Sequence, residues 1–275
     1  MDTVRLSEPL LLLDVAVYSA SDPHADALLI DNGVVAWIGS ASSARVLHPT
    51  VRSISLDGCL VTPPFVDSCA GNIADPTPRP TDLARGILHR IPGLPRREGS
   101  IEVMAPCERT DAPFGDLTAS GTVLTFGSGG ELGFQDPWQW MLAATRDASP
   151  DQRLSDRAAF LAASRGGHRL LGDDHPGSLL AGVPATLVIW RPWDLIVRGA
   201  DERIQTWSTD PRSRTPRLPD LSSGNGPRAL MAFAAGHLVF DGRDDIPQAP
   251  QVPGSLESWT PDATQPVEPR REFPA

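Results

Sequence analysis

Apolar residues in two separated parts of the chain follow the short runs that are typical of β-strands. In the first part, residues 10–18 are almost entirely apolar, and the runs ALLI and VVAWI surround Asp31-Asn32-Gly33. Asn-Gly between apolar runs predicts a hairpin, because both central residues of such a turn need positive φ. Further strands are expected at 51–56 and 59–66, with a helical turn at 41–47 between the hairpin and these strands.

The second β-rich part covers residues 177–242. ATLVIW at 185–190 and LIV at 195–197 predict strands, and ALMAFAAGHLVFDG at 229–242 predicts a hairpin that turns near Gly236. Between these elements, residues 208–228 are rich in Arg, Pro and Ser and predict a mobile loop. Residues 243–275 are Pro-rich with scattered apolar positions, which predicts a disordered tail.

The middle of the chain gives a weaker pattern. Residues 72–118 contain seven prolines and little periodicity, so they are expected to be irregular, apart from a short helix at 81–90 with Thr81 as N-cap. GTVLTFG at 121–127 predicts a buried strand. Asp136-Pro137 predicts a helix start with Asp at the N-cap and Pro at N1, running to about 147. Ser155 is expected to cap a second helix that ends near Gly172.

Charge and composition exclude several classes of function. The formal net charge is −10, which argues against a nucleic-acid binder and against docking on an anionic membrane. The chain contains no Lys, so it has no Walker A loop, no Schiff-base lysine and no carbamylated lysine that could bridge two metals. Arg in place of Lys is typical of a GC-rich genome of the actinobacterial type.

Three cysteines, Cys59, Cys69 and Cys107, form no CxxC pair. An odd number without metal-ligand spacing favours thiols in a reducing compartment. The apolar segment near the N-terminus is too short to span a bilayer and fits a strand better than a signal peptide. We therefore expect a cytoplasmic protein.

Four segments, taken in order, resemble the amidohydrolase superfamily, especially its family-3 branch of N-substituted formamide deformylases and related deacylases. ALLIDNGVVAWIG followed by LDGCLVTPPFVDS is similar to the opening hairpin and first barrel strand of that family. GTVLTFGSGGELGFQDPWQWMLAAT resembles the last barrel strand and the helix after it. SRGGHRLLGDDHPGSLLAGVPATLVIW and ALMAFAAGHLVFDG resemble the return to the family's β-sandwich and its closing hairpin. The resemblance implies a metal-dependent hydrolase of non-peptide carbon–nitrogen bonds.

The family's metal-binding motifs are altered in this sequence. The first barrel strand of the family ends in Asp-x-His-x-His, whose histidines bind the metal, whereas here Asp67 is followed by Cys69 and Gly71 at the histidine positions. The last strand of the family ends in a Ser-Asp pair, whose Asp ligates metal and acts as general base. Here Ser128 is followed by Gly129. The resemblance therefore implies that catalysis is lost, and we expect no metal and no cofactor.

Chain length decides the expected fold class. About fifty residues separate Cys69 from the strand at 121, whereas a (β/α)₈ barrel needs roughly 200 residues or more. We predict a mixed α/β, β-rich fold in which residues 1–66 and 177–242 form a composite β-sandwich. Residues 67–176 would form a truncated barrel remnant with one strand pair and two helices, and a full barrel is not expected.

Asp67, Cys69 and Ser128 are the candidates for a remnant pocket. Cys69 beside Asp67 could act as a nucleophile, but a buried structural cysteine is about ten times more frequent. The six histidines form no HxH or HExxH pair, so each is more often a surface or helix-end residue than a ligand. The glycine-rich stretch 127–133 lacks the GxGxxG spacing of a phosphate loop.

Three functional hypotheses follow. The first is a non-catalytic relic with a binding or assembly role, in which a homo-oligomer or a partner protein covers the apolar faces left by missing helices. The second is a surviving amidohydrolase with a non-standard site. The third is a small-molecule binder that uses the old pocket near Asp67 and Ser128. Metal content separates the first two, and a ligand-dependent melting shift would support the third.

Overall fold

The computed structural model describes residues 4–109, 111–172, 176–197 and 215–243. The strands, in chain order, are β1 Val4–Arg5, β2 Leu10–Leu13, β3 Ala16–Val17, β4 Ala27–Asp31, β5 Val34–Gly39, β6 Arg52–Ser55, β7 Leu60–Thr62, β8 Phe65–Asp67, β9 Ile87–Arg90, β10 Arg96–Glu98, β11 Ile101–Met104, β12 Val123–Phe126, β13 Leu187–Trp190, β14 Leu195–Ile196, β15 Leu218–Pro219, β16 Ala229–Ala234 and β17 His237–Asp241. The α-helices are α1 Ala41–Leu47, α2 Pro80–Leu83, α3 Phe114–Ala119, α4 Pro137–Leu142, α5 Asp156–Ala163 and α6 Arg165–Leu171, with a 3₁₀ turn at Leu132–Phe134 and a π-helical turn at Ala143–Asp147.

Two sheets share one apolar core, and we call them together the two-sheet body. A six-stranded sheet has the order β1-β17-β16-β13-β7-β3, so three adjacent strands from the C-terminal β-rich part are flanked by N-terminal strands on both sides. A four-stranded sheet has the order β5-β4-β2-β6. Leu10, Leu12 and Leu28 of the second sheet pack in one buried cluster with Leu187 and Ile189 of the first.

Successive side chains of β2 point to opposite faces of the four-stranded sheet, and both faces are covered. Leu10 and Leu12 point to the shared core, whereas Leu11 and Leu13 pack under α1 with Ala41 and other apolar residues. The predicted hairpin is confirmed, since Asn32 and Gly33 have φ of 49° and 80°. The predicted helical turn at 41–47 is also confirmed, because Ser40 caps α1 through the N–H of Ser43.

Strands β8 to β12, together with helices α5 and α6, form what we call the parallel-strand unit, while β14 and β15 form a separate two-stranded sheet. β8 pairs with β9 and β11 pairs with β12, in both cases parallel, while β10 is an antiparallel edge strand on β11. The Ser68 N–H donates to the Phe126 carbonyl at 3.1 Å and joins the end of β8 to the end of β12. Within the described ranges these strands do not close into a barrel, as expected from the chain length.

Glycines allow α6 to lie directly on two of these strands. A Cβ on Gly166 would collide with the Leu124 carbonyl oxygen, and one on Gly167 would collide with the Val66 side chain. The predicted helix from Ser155 to about 170 is therefore two helices. Ser155 caps α5 as expected and Gly172 ends α6 in the left-handed conformation, but the chain breaks at Ser164, where φ is −118° and ψ is −82°.

Aromatic packing connects the two-sheet body to the parallel-strand unit. The Phe65 ring of β8 lies 4.9 Å from the Trp138 ring of α4 and 5.5 Å from the Trp190 ring of β13, centroid to centroid. Asp136 accepts a hydrogen bond from the Trp138 N–H, so the predicted Asp-Pro helix start is confirmed, although the α-helix ends at Leu142. The π-helical turn continues to Asp147.

The expectation for residues 72–118 was wrong in two respects. The helix predicted at 81–90 with Thr81 as N-cap is a single turn, α2, in which Arg79 is the N-cap and Thr81 lies inside the helix. Gly86 then adopts φ of 72° and the chain enters β9. The remnant also contains more than one strand pair, because β9, β10, β11 and α3 all lie in the segment expected to be irregular. Non-local pairing of β9 with β8, and of β11 with β12, supplies order that the proline-rich sequence does not reveal.

Two predictions concern segments that the structure describes only partly. In the loop predicted at 208–228, residues 208–214 lie outside the described residues, but Leu218–Pro219 pairs with Leu195–Ile196. The predicted disordered tail lies outside the described residues beyond Arg243. Among the helices that the structure does describe, none has the length and apolar character needed to cross a bilayer.

Candidate functional site

The sequence-predicted candidates Asp67, Cys69 and Ser128 come together where β8 and β12 end side by side. Asp67 is the last residue of β8, and Ser128 follows β12 by two positions. All three side chains are buried, with exposures of 3%, 0% and 1% respectively. The structure therefore brings together the residues that the altered motifs indicate.

Asp67 and Ser128 are paired through two hydrogen bonds. The Ser128 N–H donates to Oδ1 of Asp67 at 2.9 Å, and the Ser128 hydroxyl donates to Oδ2 at 2.8 Å. Burial raises the pKa of Asp67, while these two bonds, the Cys69 N–H and the positive charge of Arg90 oppose the rise. Both carboxylate oxygens are thus engaged in joining two strand ends.

Cys69 is a buried, protonated thiol. Burial raises the pKa of the Cys69 thiol to about 12, and the negative charges of Asp67 and Glu108 add to this rise. A hydrogen bond from the Gly129 N–H lowers the pKa in part. The Sγ atom lies 3.6 Å from the Met104 carbonyl oxygen and donates to it. Because the thiolate is the form that attacks substrates and binds metals, this environment is typical of a structural cysteine.

Glycines close the strand ends against each other. Gly71 has φ of 76°, and a Cβ placed on it would lie 2.7 Å from the Cα of Gly130. Gly129 has φ of 69°, and the carboxylate of Glu108 occupies the space where a Cβ on Gly129 would point. Neither position can accept a larger side chain without movement of its neighbours.

The donor set does not fit the metal centre that the amidohydrolase resemblance implies. The two motifs supply four residues: Gly71 and Gly129 have no side chain, the Cys69 thiol has a raised pKa, and both carboxylate oxygens of Asp67 accept hydrogen bonds from Ser128. A catalytic zinc usually has three protein ligands and an open coordination position. In the part of the chain that the structure describes, no group of three or more His, Cys, Asp or Glu side chains could hold a metal ion.

Sequence reasoning missed the charged residues that surround this cluster. Glu108 lies beside Gly129, and Arg90 at the end of β9 contributes positive charge near Asp67. Arg90 also faces the buried Asp82, with Nε 3.5 Å from Oδ2, and Arg79 contacts the same oxygen at 2.9 Å. Arg79 and Asp82 are three residues apart, so the sequence alone could have indicated that they form an ion pair. Arg90 is brought to this pair only by the pairing of β8 with β9.

Two histidines that are far apart in sequence also meet in the fold. The His89 and His168 rings lie 5.4 Å apart, centroid to centroid, and His168 is 2% exposed. The sequence assigned His168 to a helix end, which its place in the last turn of α6 confirms. His175 lies outside the described residues.

Comparison of the fold with solved structures gives several hydrolases and a deaminase as neighbours. Enamidase, described as a member of the amidohydrolase superfamily, aligns with a TM-score of 0.57 and 10% identity over 88% of this chain and 98% of that chain. Triazine hydrolase from Arthobacter aurescens aligns with a TM-score of 0.54 and 12% identity, over 86% and 95% respectively. Guanine deaminase from E. coli gives 0.50 and 14%, over 85% and 99%.

Comparison of the whole sequence gives no match. No model of a known protein family matches it, and no curated protein matches it either. Membership of the family-3 branch stays a prediction. The solved structures nevertheless confirm the resemblance at the level of the fold: this chain shares its fold with enamidase, a member of the amidohydrolase superfamily, and its strand ends at Gly71 and Gly130 are closed upon each other.

Proposed function

We propose that this chain is a non-catalytic protein with an amidohydrolase fold and that a binding or assembly role has replaced metal-dependent hydrolysis of carbon–nitrogen bonds. One observation carries the proposal: Gly71, at a position where the family has a metal-binding histidine, packs against the backbone of Gly130. An imidazole at this position would need both a Cβ in a strained backbone conformation and space that Gly130 occupies.

The remaining polar groups support the same proposal. Hydrolysis in the family needs a metal-activated water and a carboxylate that moves its proton. Gly129 stands at the position of that carboxylate, and Asp67 is held by Ser128 instead of facing an open pocket. These residues stabilise the junction of two strands, which is a structural role.

The finer features of the proposal rest on the same fold. We interpret the two-sheet body as the composite β-sandwich of the family and the parallel-strand unit as what remains of its barrel. Oligomerisation with a second copy would cover apolar side chains such as Leu94, which is 55% exposed. A cytoplasmic location is favoured by three cysteines that form no disulfide.

The test combines metal analysis with an activity panel. Highly purified protein is assayed with N-acyl, formamide and cyclic-imide substrates in the presence of added zinc, and its metal content is measured by elemental analysis. We expect substoichiometric zinc, iron and manganese and no turnover above background. The variants Gly129→Asp and Cys69→His/Gly71→His should also stay inactive, because catalytic groups that act as a unit do not restore activity one at a time.

Two results would overturn this proposal. One is about one metal per chain that is lost in Cys69→Ala. The other is turnover that follows the protein through purification and disappears in Asp67→Ala, which would demonstrate a surviving hydrolase with a non-standard site. Ligand-dependent melting shifts that vanish in Asp67→Ala would instead support a small-molecule pocket at the old site.

A further inference from the structure

A separate groove lies on the outer side of β12, between the C-terminal end of α3 and the helices α5 and α6. Its volume is about 250 Å³. None of its lining residues belongs to the Asp67, Cys69 and Ser128 cluster. Any ligand bound here would therefore be independent of the proposed loss of catalysis.

One side of this groove is apolar. Leu124 of β12 and Leu154, which precedes α5, line it and are 7% and 8% exposed. Val123 and Leu161 are partly buried and continue the same surface. The surface can therefore bury a small hydrocarbon or aryl group.

The other side of the groove is cationic. Arg165 and Arg169 both line it and lie four residues apart on α6, which places them on the same helical face. Both side chains are exposed, and neither has an ion-pair or hydrogen-bond partner among the described residues. Two guanidinium groups that have no such partner in the described ranges are notable in a chain whose net charge is −10.

We propose that this groove binds a small monocarboxylic acid with an apolar body, such as an aryl-acetic or short alkyl acid. The guanidinium groups match the carboxylate in charge and geometry, since the planar fork of Arg donates two parallel hydrogen bonds to two oxygens. Leu124, Leu154 and Leu161 receive the apolar body. The apolar side favours such an acid over inorganic phosphate, because phosphate has no apolar group that could contact these leucines.

The size of the groove limits the ligand. Pockets for drug-sized molecules measure roughly 300–1,000 Å³, so this one fits a smaller molecule of about ten non-hydrogen atoms. At ordinary ligand efficiencies such a molecule binds with a dissociation constant of about 1 mM. Phenylacetate and hexanoate meet these limits and serve as probes.

The test is a titration of the full chain with phenylacetate and hexanoate, followed by ¹H–¹⁵N NMR and isothermal titration calorimetry. We expect saturable binding with shifts at residues of α6 and β12, and at least about tenfold weaker binding of phenylacetamide, which lacks the charge. Inorganic phosphate serves as the probe without an apolar body and should also bind more weakly. The double variant Arg165→Gln/Arg169→Gln should weaken phenylacetate binding by at least about tenfold.

Two further variants control for charge and for folding. Arg157→Gln removes an exposed arginine of α5 that does not line the groove, and it should leave binding unchanged. Leu161→Glu places a carboxylate against the apolar side and should abolish binding. Equal binding of phenylacetate and phenylacetamide, undiminished binding by the double arginine variant, or no saturable binding of either acid would each overturn the proposal.

Discussion

The two-sheet body and the parallel-strand unit differ in the contacts that hold them together. In the body, all four residues of β13 are fully buried, and leucine and valine side chains interdigitate between two extended sheets. In the parallel-strand unit, strand ends meet through Asp67 and Ser128, and helix α6 approaches through Gly166 and Gly167. Both regions bury apolar side chains, including Phe65, Phe126 and Phe160 in the parallel-strand unit, but the unit adds close backbone contacts and a buried polar pair at its strand ends.

This difference indicates how an open unit of parallel strands can remain folded. In an open arrangement of parallel strands, the strand ends lack neighbours on one side and must find other partners for their polar groups. Small residues at Gly71 and Gly130 allow the ends to close, so that Asp67 and Ser128 satisfy each other. Substitutions in each region test this difference.

Trp190→Ala should have the largest effect, because this side chain connects the two regions. Trp190 is fully buried, packs on Phe65 and Trp138, and donates its indole N–H to the Thr62 hydroxyl at 2.8 Å. We expect a loss of about 3–5 kcal/mol in the free energy of unfolding, measured by urea titration. Trp37→Ala is the matched control. Its indole is only partly buried under α1, so its smaller loss would support the connecting role and an equal loss would contradict it.

Gly71→His should destabilise the chain by about 2–5 kcal/mol, since positive φ and the contact with Gly130 both oppose a side chain. Gly121→His separates the two causes. Gly121 has φ of 79°, but a Cβ added there would meet no atom within 4 Å, so only the backbone cost of about 1 kcal/mol remains. Chemical denaturation of both variants measures the difference, and equal losses would show that the strand ends are not tightly closed.

Asp67→Ala should cost about 2–4 kcal/mol, because the N–H and hydroxyl of Ser128 would be buried without an acceptor. Asp67→Asn should stay within about 1 kcal/mol of the natural chain at pH 7. The amide oxygen accepts the Ser128 N–H, and the amide nitrogen donates to the Ser128 hydroxyl. Thermal and urea melts compare the two variants. A large loss in Asp67→Asn would mean that the charge itself is required.

The pH dependence of Asp67→Asn gives a more sensitive test. Burial raises the pKa of Asp67 in the folded chain, so the folded state binds this proton more tightly than the unfolded state. The stabilisation from this proton is fully present below the unfolded pKa of about 3.9 and is lost as the pH rises through the folded pKa. The stability of Asp67→Asn relative to the natural chain should therefore improve between acidic and neutral pH. A flat or opposite trend in melts across this range would contradict the raised pKa.

Arg45→Gln should have the smallest effect. Its guanidinium contacts Asp14 at 2.8 Å on the outer surface of the two-sheet body, with 53% and 35% of the two side chains exposed. Exposed ion pairs of this kind stabilise by roughly 0–1 kcal/mol and weaken with salt. Melting curves at low and high salt check this. A loss above about 1 kcal/mol would show that the pair also positions α1.

Sequence reasoning succeeded where a local signal specifies a local structure. Asn32-Gly33 encodes the turn, Ser40 and Ser155 cap their helices, and Asp136-Pro137 starts a third helix, because each depends on residues no more than four positions apart. It failed at β9, where Gly86 interrupts the expected helix and the strand forms only because β8 lies beside it.

The candidate site shows the same limit. The altered motifs indicated Asp67, Cys69 and Ser128, and the fold places them in contact. Glu108 and Arg90 carried no signal in the sequence, since each reaches the site through strand pairing across many residues. The groove beside Arg165 and Arg169 was equally invisible, because α3, β12 and α6 line it from different parts of the chain.

By itself, the sequence determined the chemistry that this chain lacks and the turns and caps of its elements. The sequence contains no Lys, and it has glycines at the two positions that the amidohydrolase resemblance aligns with metal ligands. No fold can supply side chains that are missing. Only the tertiary structure decided that these glycines close the strand ends, that Asp67 is committed to Ser128, and that two arginines border an apolar groove. The physical reason is that burial and contact depend on which distant segments pack together, and local propensities do not encode that choice.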